Sequence, residues 1–336
     1  MTDEIYLFGV PGLIGGAATK IRHLIMLLHK TFRFTVVVNG PNWIKEKQVT
    51  RFCDSYGVQC CQLKDLPRQL KGVGLVICEL DIFASGRAEE IKNRGLKLVF
   101  SNEMMWEFKG EAEAVAKGLV DRVLFLSDFQ QAVFADLYRN VPQLIVDNYI
   151  APEDFPYVNR SLPTFSIGRL SRPDPVKYPE DFPVFYEELG LAEVRYRVMA
   201  WDEALRRKYK WHCFGPEWDL LPPQREPAAK FLNSLDLFVY PLGHSFKESW
   251  GRSTAEAMLT GCVPVVPSGH QFHNMMVHGE NGFICTTFEE YKEVVQMLYA
   301  DAPRRRQLGQ HCADYARRVL FNEERHREVW MKALTF

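Results

Sequence analysis

The sequence predicts an α/β protein of two doubly wound domains that face a cleft. Short apolar strands alternate with amphipathic helices from end to end, which is typical of parallel sheets covered by helices. The chain has 336 residues, which is long for one core and fits two domains of ordinary size. A proline-rich segment over residues 151–163 interrupts the alternation near the middle, so we expect the linker there.

The first domain is predicted over residues 1–156. Residues 5–9 favour a strand, and residues 17–30 favour a helix, because Ile21, Leu24, Ile25 and Leu28 recur at helical spacing. Further apolar runs predict strands over residues 34–38, 75–78, 96–100, 122–126 and 144–146. Helices are expected between them, which completes one doubly wound unit.

The second domain is predicted over residues 163–320 and repeats the alternation. The predicted strands are residues 164–167, 195–199, 211–214, 237–240 and 263–266. The tail from residue 302 to 334 is predicted to be helical, with strongly alternating charge.

Composition excludes several classes of function. The formal net charge is -1, so no global basic field draws the chain to nucleic acid or anionic lipid. No apolar run approaches the roughly 20 residues of a membrane span, and Asp3 and Glu4 precede a strand, so no signal peptide is expected. The 8 cysteines are scattered without a C-x-x-C motif, which predicts reduced thiols and a cytoplasmic location.

Three histidines lie close together, at His270, His273 and His278. They lack a fourth ligand and a spacing typical of metal sites, so no metal site is predicted. The sequence carries no signal for an oligomeric state.

The strongest functional signal is a pair of glutamates, Glu248 and Glu256, separated by a glycine-containing turn. A helix beginning near Gly251 would place Glu256 in its second turn and Glu248 on the preceding loop. The free amides of a helix start bind phosphate or sugar oxygens, and carboxylates accept hydrogen bonds from sugar hydroxyls. The alternative is an exposed helix start with acids near its positive end.

The residues around this pair carry a family resemblance. An apolar strand ends at Pro241 and is followed by Glu248-Ser-Trp250-Gly251. The second glutamate then begins the run Glu256-Ala-Met-Leu-Thr-Gly261-Cys-Val-Pro264-Val-Val. This string resembles the large family of retaining GT-B glycosyltransferases with paired glutamates, with Trp250 where the family has Phe. The resemblance is strong over residues 160–285 and weaker over residues 1–150. It implies two Rossmann-like domains and a last helix, within residues 321–336, that crosses back to the first domain.

The resemblance also implies roles for residues in the second domain. Glu248 would bind the sugar hydroxyls of a nucleotide sugar, and Glu256 the ribose. The diphosphate would lie against Arg169, Lys177 and the helix start, made of Gly251, Arg252, Ser253 and Thr254. Arg172 is an alternative to Lys177, because an insertion displaces the family's lysine. No metal and no cofactor other than the nucleotide sugar are implied.

Two parts of the first domain match the family less closely. A glycine-rich turn follows the first strand without the spacing of a dinucleotide or P-loop motif; by resemblance, Gly15 and Gly16 would face the donor. Many family members have a histidine in the loop after the strand that here ends near residue 100. Glu103 takes its place as the catalytic candidate, with Asn102, Glu79 and Asp81 as alternatives.

The resemblance therefore implies a metal-independent, retaining glycosyltransferase. It would move a sugar from a nucleotide-diphosphate donor to a hydroxyl acceptor such as a small sugar, a glycan or a lipid-linked glycan. One alternative is transfer to a hydroxylated base in DNA, where local arginine and lysine clusters would contact phosphates. A nucleotide-sugar epimerase, a phosphorylase and a non-catalytic nucleotide-sugar binder are further alternatives.

Overall fold

The computed structural model describes residues 4–12, 15–40, 42 and 46–336. The chain forms two compact units, Met1–Ala151 with Glu323–Phe336, and Pro152–Asn322. The second unit thus begins inside the segment expected to be a linker. The start of this segment is hydrogen-bonded within the second unit, because Arg317 donates from Nη2 to the carbonyl of Phe155 at 2.9 Å.

The first unit contains a parallel sheet of 7 strands in the order β3-β2-β1-β4-β5-β6-β7. Its strands are β1 (Glu4–Phe8), β2 (Arg33–Val38), β3 (Gln59–Gln62), β4 (Val73–Ile77), β5 (Lys97–Ser101), β6 (Arg122–Phe125) and β7 (Gln143–Ile145). Its helices before residue 151 are α1 (Gly16–Leu28), α2 (Lys47–Ser55), α3 (Arg87–Asn93), α4 (Glu111–Ala116) and α5 (Asp128–Val133).

The second unit contains a parallel sheet of 6 strands in the order β10-β9-β8-β11-β12-β13. Its strands are β8 (Phe165–Leu170), β9 (Val194–Met199), β10 (Trp218–Leu221), β11 (Leu237–Val239), β12 (Val263–Pro267) and β13 (Phe283–Cys285). Its helices are α6 (Phe182–Glu187), α7 (Glu203–Lys208), α8 (Ala228–Leu232), α9 (Arg252–Thr260), α10 (Phe288–Ala300) and α11 (Ala302–Tyr315), which continues as a π-helical turn (Ala316–Leu320).

Each unit has its own core between sheet and helices. Central strands supply fully buried residues such as Leu98 and Phe100 in the first unit, and Ile167 and Val265 in the second. The expected α/β class with two Rossmann-like domains is confirmed.

One strand prediction is wrong. Residues 211–214 form no strand, and β10 starts at Trp218 instead. The apolar side chain of Phe214 packs on Trp201 and Trp218, with ring centroids at 5.3 and 5.2 Å, so its hydrophobicity reflects an aromatic cluster. The other predicted strands each overlap an observed one.

The last helix, α12 (Glu323–Leu334), belongs to the first unit. Its Trp330 is 1% exposed. Arg122, at the start of β6, donates to the carbonyls of Lys332, Ala333 and Thr335 at 3.1, 2.7 and 2.9 Å. These bonds satisfy carbonyls at the helix end that have no partner within the helix.

Both sheets reverse their strand order once, between β1 and β4 and between β8 and β11. In open α/β sheets, ligands bind beyond the carboxyl ends of the strands at such reversals. No helix among the described residues is long and apolar enough to cross a membrane.

Candidate functional site

Several predicted residues meet beyond the carboxyl ends of β8 and β11, where the second sheet reverses. Lys177 ends a short 3-10 helix (Pro175–Lys177) after β8, and Glu248 lies on the loop after β11. Lys177 Nζ lies 3.1 Å from Glu248 Oε2, and Tyr240 donates its hydroxyl to the same oxygen at 3.2 Å. The structure therefore joins two predicted site residues in one ion pair.

This ion pair is largely shielded from water, since the Lys177 and Glu248 side chains are 12% and 11% exposed. Burial alone would lower the pKa of Lys177, but Tyr240 and Glu248 outweigh it and the net shift is upward. Lys177 is therefore a fixed cation at neutral pH. Both contacts to Glu248 use Oε2, and none of the described residues holds Oε1 by a hydrogen bond.

Arg169 lies beneath this pair and is fully buried. Its guanidinium carbon lies 3.8 Å from the ring centroid of Tyr178 and 4.4 Å from that of Tyr240. Its terminal nitrogens donate to the Pro241 carbonyl at 2.6 Å, to Ser171 Oγ at 3.1 Å and to the Lys177 carbonyl at 3.5 Å. These contacts position Lys177 and Tyr240; the expected contact with a diphosphate stays a prediction.

Helix α9 begins beside the pair, as the glutamate spacing predicts. Gly251 caps it in the left-handed region, with φ at +88°. A Cβ there would lie 2.5 Å from Cε1 of Phe272, so only glycine fits both the backbone and the space. Ser253 is partly exposed in the first turn.

Neither polar group of Thr254 is free in the way that the helix start predicts. Its amide, expected to be free, donates to the Gly251 carbonyl at 3.0 Å. Its hydroxyl is fully buried and has no hydrogen-bond partner among the described residues. A buried polar atom without a partner is costly, so this hydroxyl destabilises the start of α9 rather than offering a contact to a ligand.

Glu256 is 7% exposed and pairs with Arg252, whose Nε lies 2.8 Å from Oε1. Burial raises the pKa of Glu256, although Arg252 opposes the shift. The two residues lie four apart on α9, so the helix itself fixes this pair. The predicted contact of Glu256 with a ribose stays a prediction.

His270 belongs to the same group, although the sequence analysis considered it only as a metal ligand and predicted no metal site there. It follows β12, and its Nδ1 accepts a hydrogen bond from the Glu248 backbone amide at 3.2 Å. Burial and the charge of Lys247 lower the pKa of His270, against the pull of Glu248. The sequence could have indicated this role, because His270 follows a predicted parallel strand that neighbours the strand before Glu248.

In the first unit, Gly15 caps α1 with φ at +83°, and Gly16 starts the helix. Both are exposed, and a Cβ on either would contact nothing within 4 Å. They lie at an open helix start, which is compatible with the predicted ligand contact without testing it. The preceding residues of this turn, Leu13 and Ile14, lie outside the described residues.

Glu103 forms a buried ion pair with Lys20. Its Oε1 lies 2.7 Å from Lys20 Nζ and accepts the Ser101 hydroxyl at 2.7 Å. Lys20 is 2% exposed and lies 5.6 Å from the ring centroid of Trp330. Asn102 is fully buried and bonds the Trp106 carbonyl at 3.2 Å, so it supports the loop.

Glu79 is the alternative carboxylate nearest the reversal of the first sheet. It follows Cys78, which has φ at +48°, an uncommon backbone for this residue type. Arg87 Nη1 lies 3.1 Å from its Oε1, and Asn39 donates to the same oxygen. Burial raises the pKa of Glu79 despite Arg87, whereas Asp81 is exposed.

Across the described ranges, no group of three histidine, cysteine, aspartate or glutamate side chains has a geometry suited to a metal ion. The cysteines are all free thiols; most are buried, while Cys213 is exposed.

No protein-family profile matches the sequence, and no curated protein matches it. Solved structures do match over nearly the whole chain. HepE of Anabaena, solved with UDP and glucose, has a TM-score of 0.74 at 14% identity, with 99% of both chains covered. Sucrose-phosphate synthase of Thermosynechococcus elongatus has a TM-score of 0.69 at 13% identity, with 98% of both chains covered. A glycosyltransferase of Rickettsia africae has a TM-score of 0.77 at 9% identity, with 99% of both chains covered. At these identities the matches show the fold, which is the GT-B type of two Rossmann-like domains.

Proposed function

We propose that the chain is a glycosyltransferase that takes a sugar from a nucleotide-diphosphate donor and delivers it to a hydroxyl acceptor. The observation that carries this proposal is the shielded cluster of Lys177, Glu248 and Tyr240 beside the start of α9. It joins a fixed cation, a carboxylate oxygen open to a ligand and a helix start, at the point where α/β sheets bind ligands. The fold supports this proposal, since a solved glycosyltransferase has the same fold.

Each part of the cluster has a task in this reaction. The leaving group is a nucleoside diphosphate, whose negative charge grows as the glycosidic bond breaks, and Lys177 supplies a positive charge there. Glu248 Oε1 accepts a hydrogen bond from a sugar hydroxyl, which fixes the ring in place. Arg169 acts through Lys177 and Tyr240, so it is a positioning residue.

We further propose that the reaction needs no metal and retains the anomeric configuration. Lys177 and the start of α9 supply the positive potential that a divalent ion supplies in other sites. Retention follows from the paired-glutamate resemblance, with a front-face displacement in which the leaving phosphate assists deprotonation of the acceptor. The acceptor class is a sugar, a glycan or a lipid-linked glycan.

UDP-glucose is the first donor to test, because HepE was solved with UDP-glucose and with UDP. We expect UDP-glucose to raise the melting temperature of the protein, with or without EDTA, since a ligand that binds only the folded state stabilises it. ADP-, GDP- and TDP-glucose should be screened beside it.

Glu248→Gln is the informative variant for this binding. It removes the charge that pairs with Lys177 and weakens the contact with the sugar, so we expect at least tenfold weaker binding of UDP-glucose by calorimetry. Glu293→Gln, at an exposed position of α10, is the matched control and should bind as the wild type does. Equal affinity in Glu248→Gln and the wild type would contradict the proposed site.

A non-catalytic nucleotide-sugar binder is the second candidate. It would show the same binding without turnover, so measuring UDP release separates the two.

A further inference from the structure

His270 contacts the loop that bears Glu248, although it lies outside the paired-glutamate motif. The loop after β12 passes through Gly269, at φ +75°, and brings the imidazole against the loop that bears Glu248. The Glu248 backbone amide then donates to His270 Nδ1 at 3.2 Å. The side chain is partly buried, and its ring centroid lies 5.9 Å from that of Phe272.

This hydrogen bond fixes the protonation state of the ring. A backbone amide can only donate, so Nδ1 must carry its lone pair and the ring proton must sit on Nε2. An imidazolium would present a proton to the amide proton and lose the bond. The charged groups that face the ring are Lys247 and Glu248, and the pKa of His270 is lowered by burial first and by Lys247 second.

The Nε2–H group is therefore an available donor. None of the residues in the described ranges accepts a hydrogen bond from it, although the ring is held by its other nitrogen. A neutral imidazole oriented by one nitrogen and offering a proton at the other is a common way to bind a ligand oxygen. Glu248 is the neighbour that it helps to place.

We propose that His270 is a neutral hydrogen-bond donor that sets the Glu248 loop through Nδ1 and binds an oxygen of the nucleotide sugar through Nε2. This inference rests on the proposed function, because it names a further specificity-determining residue of the same site. Phosphate oxygens and sugar hydroxyl oxygens both accept such a bond. Comparing the binding of UDP with that of UDP-glucose shows which of these oxygens accepts the bond.

The state of the ring is tested first, on the wild-type protein without ligand. Nitrogen-15 spectra of the histidine side chains, with the His270 signals assigned by their loss in His270→Asn, should show a neutral ring protonated at Nε2 at pH 7. The ring should stay neutral to a pH below its usual 6.5. A ring protonated at Nδ1, or an imidazolium at pH 7, overturns the proposal.

Three variants then separate the two contacts. Asn places an acceptor near the position of Nδ1, Gln places a donor near that of Nε2, and Ala removes both. We expect His270→Ala to weaken UDP-glucose binding about tenfold or more, with His270→Asn and His270→Gln each losing less. His311→Ala, exposed on α11, is the matched control and should bind as the wild type does.

The two ligands identify the oxygen. A loss for UDP and UDP-glucose alike assigns the bond to the diphosphate, and a loss for UDP-glucose alone assigns it to the sugar. Wild-type affinity of His270→Ala for both ligands overturns the proposal, and wild-type affinity of His270→Asn overturns the ligand contact. A wild-type protein that binds no nucleotide sugar overturns the proposed function itself, and this inference with it.

Discussion

At the scale of single residues, Glu103 was predicted to be catalytic, and the structure places it in a buried ion pair with Lys20. The loop after β5 places Glu103 at the position where the family resemblance expects a histidine. The sequence gives no sign that Lys20, on α1, is buried beside it with Trp330. Contacts between residues so distant in the chain depend on the packed fold, so local pattern cannot predict them.

Glu103→Gln should destabilise the first unit by about 3 kcal/mol, because removal of one partner leaves the Lys20 charge buried without compensation. Urea unfolding followed by fluorescence measures the change. Glu113→Gln is the matched control, since Glu113 pairs with Lys117 on the surface and should change nothing resolvable. Equal stability of Glu103→Gln and the wild type would show that the pair contributes little.

At the scale of secondary structure elements, the sequence predicted central strands well and edge strands poorly. The strands it missed, β3, β10 and β13, all lie at the edges of their sheets. β3 (Gln-Cys-Cys-Gln) and β10 (Trp-Asp-Leu-Leu) are short and partly exposed, so they lack the continuous apolar run that marks a central strand. β13 is apolar, but its three residues are too few to distinguish a strand from a loop. The start of α9 was predicted correctly, because Gly251 and the glutamate spacing mark it directly.

Gly251→Ala tests whether this helix start tolerates any side chain. The left-handed backbone and the overlap of the new Cβ with Phe272 should together destabilise the protein by roughly 2 kcal/mol or more and weaken UDP-glucose binding. Gly269→Ala shares the positive φ but has open space around its Cβ, so it should cost only about 1 kcal/mol. Thermal unfolding and calorimetry compare the two variants. A larger effect at Gly269 would contradict the steric argument.

At the scale of the whole molecule, the last helix belongs to the first unit, as the family resemblance implies. The structure assigns Glu323–Phe336 to the first unit, next to the expected limit of residue 321. Within the proline-rich segment, the Phe155 carbonyl accepts a hydrogen bond from Arg317, and both residues belong to the second unit. Proline restricts the local backbone, but it does not determine which unit a segment packs against. Tertiary hydrogen bonds determine that.

Trp330→Ala should destabilise the first unit by about 4 kcal/mol, because it empties a fully packed site of α12. Hydrogen exchange should become faster at the amides of β4 and β5, while those of β11 and β12 keep their protection. Met331→Ala, at the neighbouring exposed position, is the matched control and should leave both sets unchanged. Faster exchange in β11 and β12 alone would contradict the assignment of this helix.

The central claim is that the Lys177–Glu248 cluster carries sugar transfer from a nucleotide sugar without a metal. Release of UDP from UDP-glucose in the presence of EDTA, compared between the wild type and Glu248→Gln across a panel of sugar acceptors, tests it most directly. We predict acceptor-dependent release by the wild type and a kcat/KM lower by roughly a hundredfold in Glu248→Gln. Release that needs a divalent metal, or equal rates in the two proteins, would contradict the account.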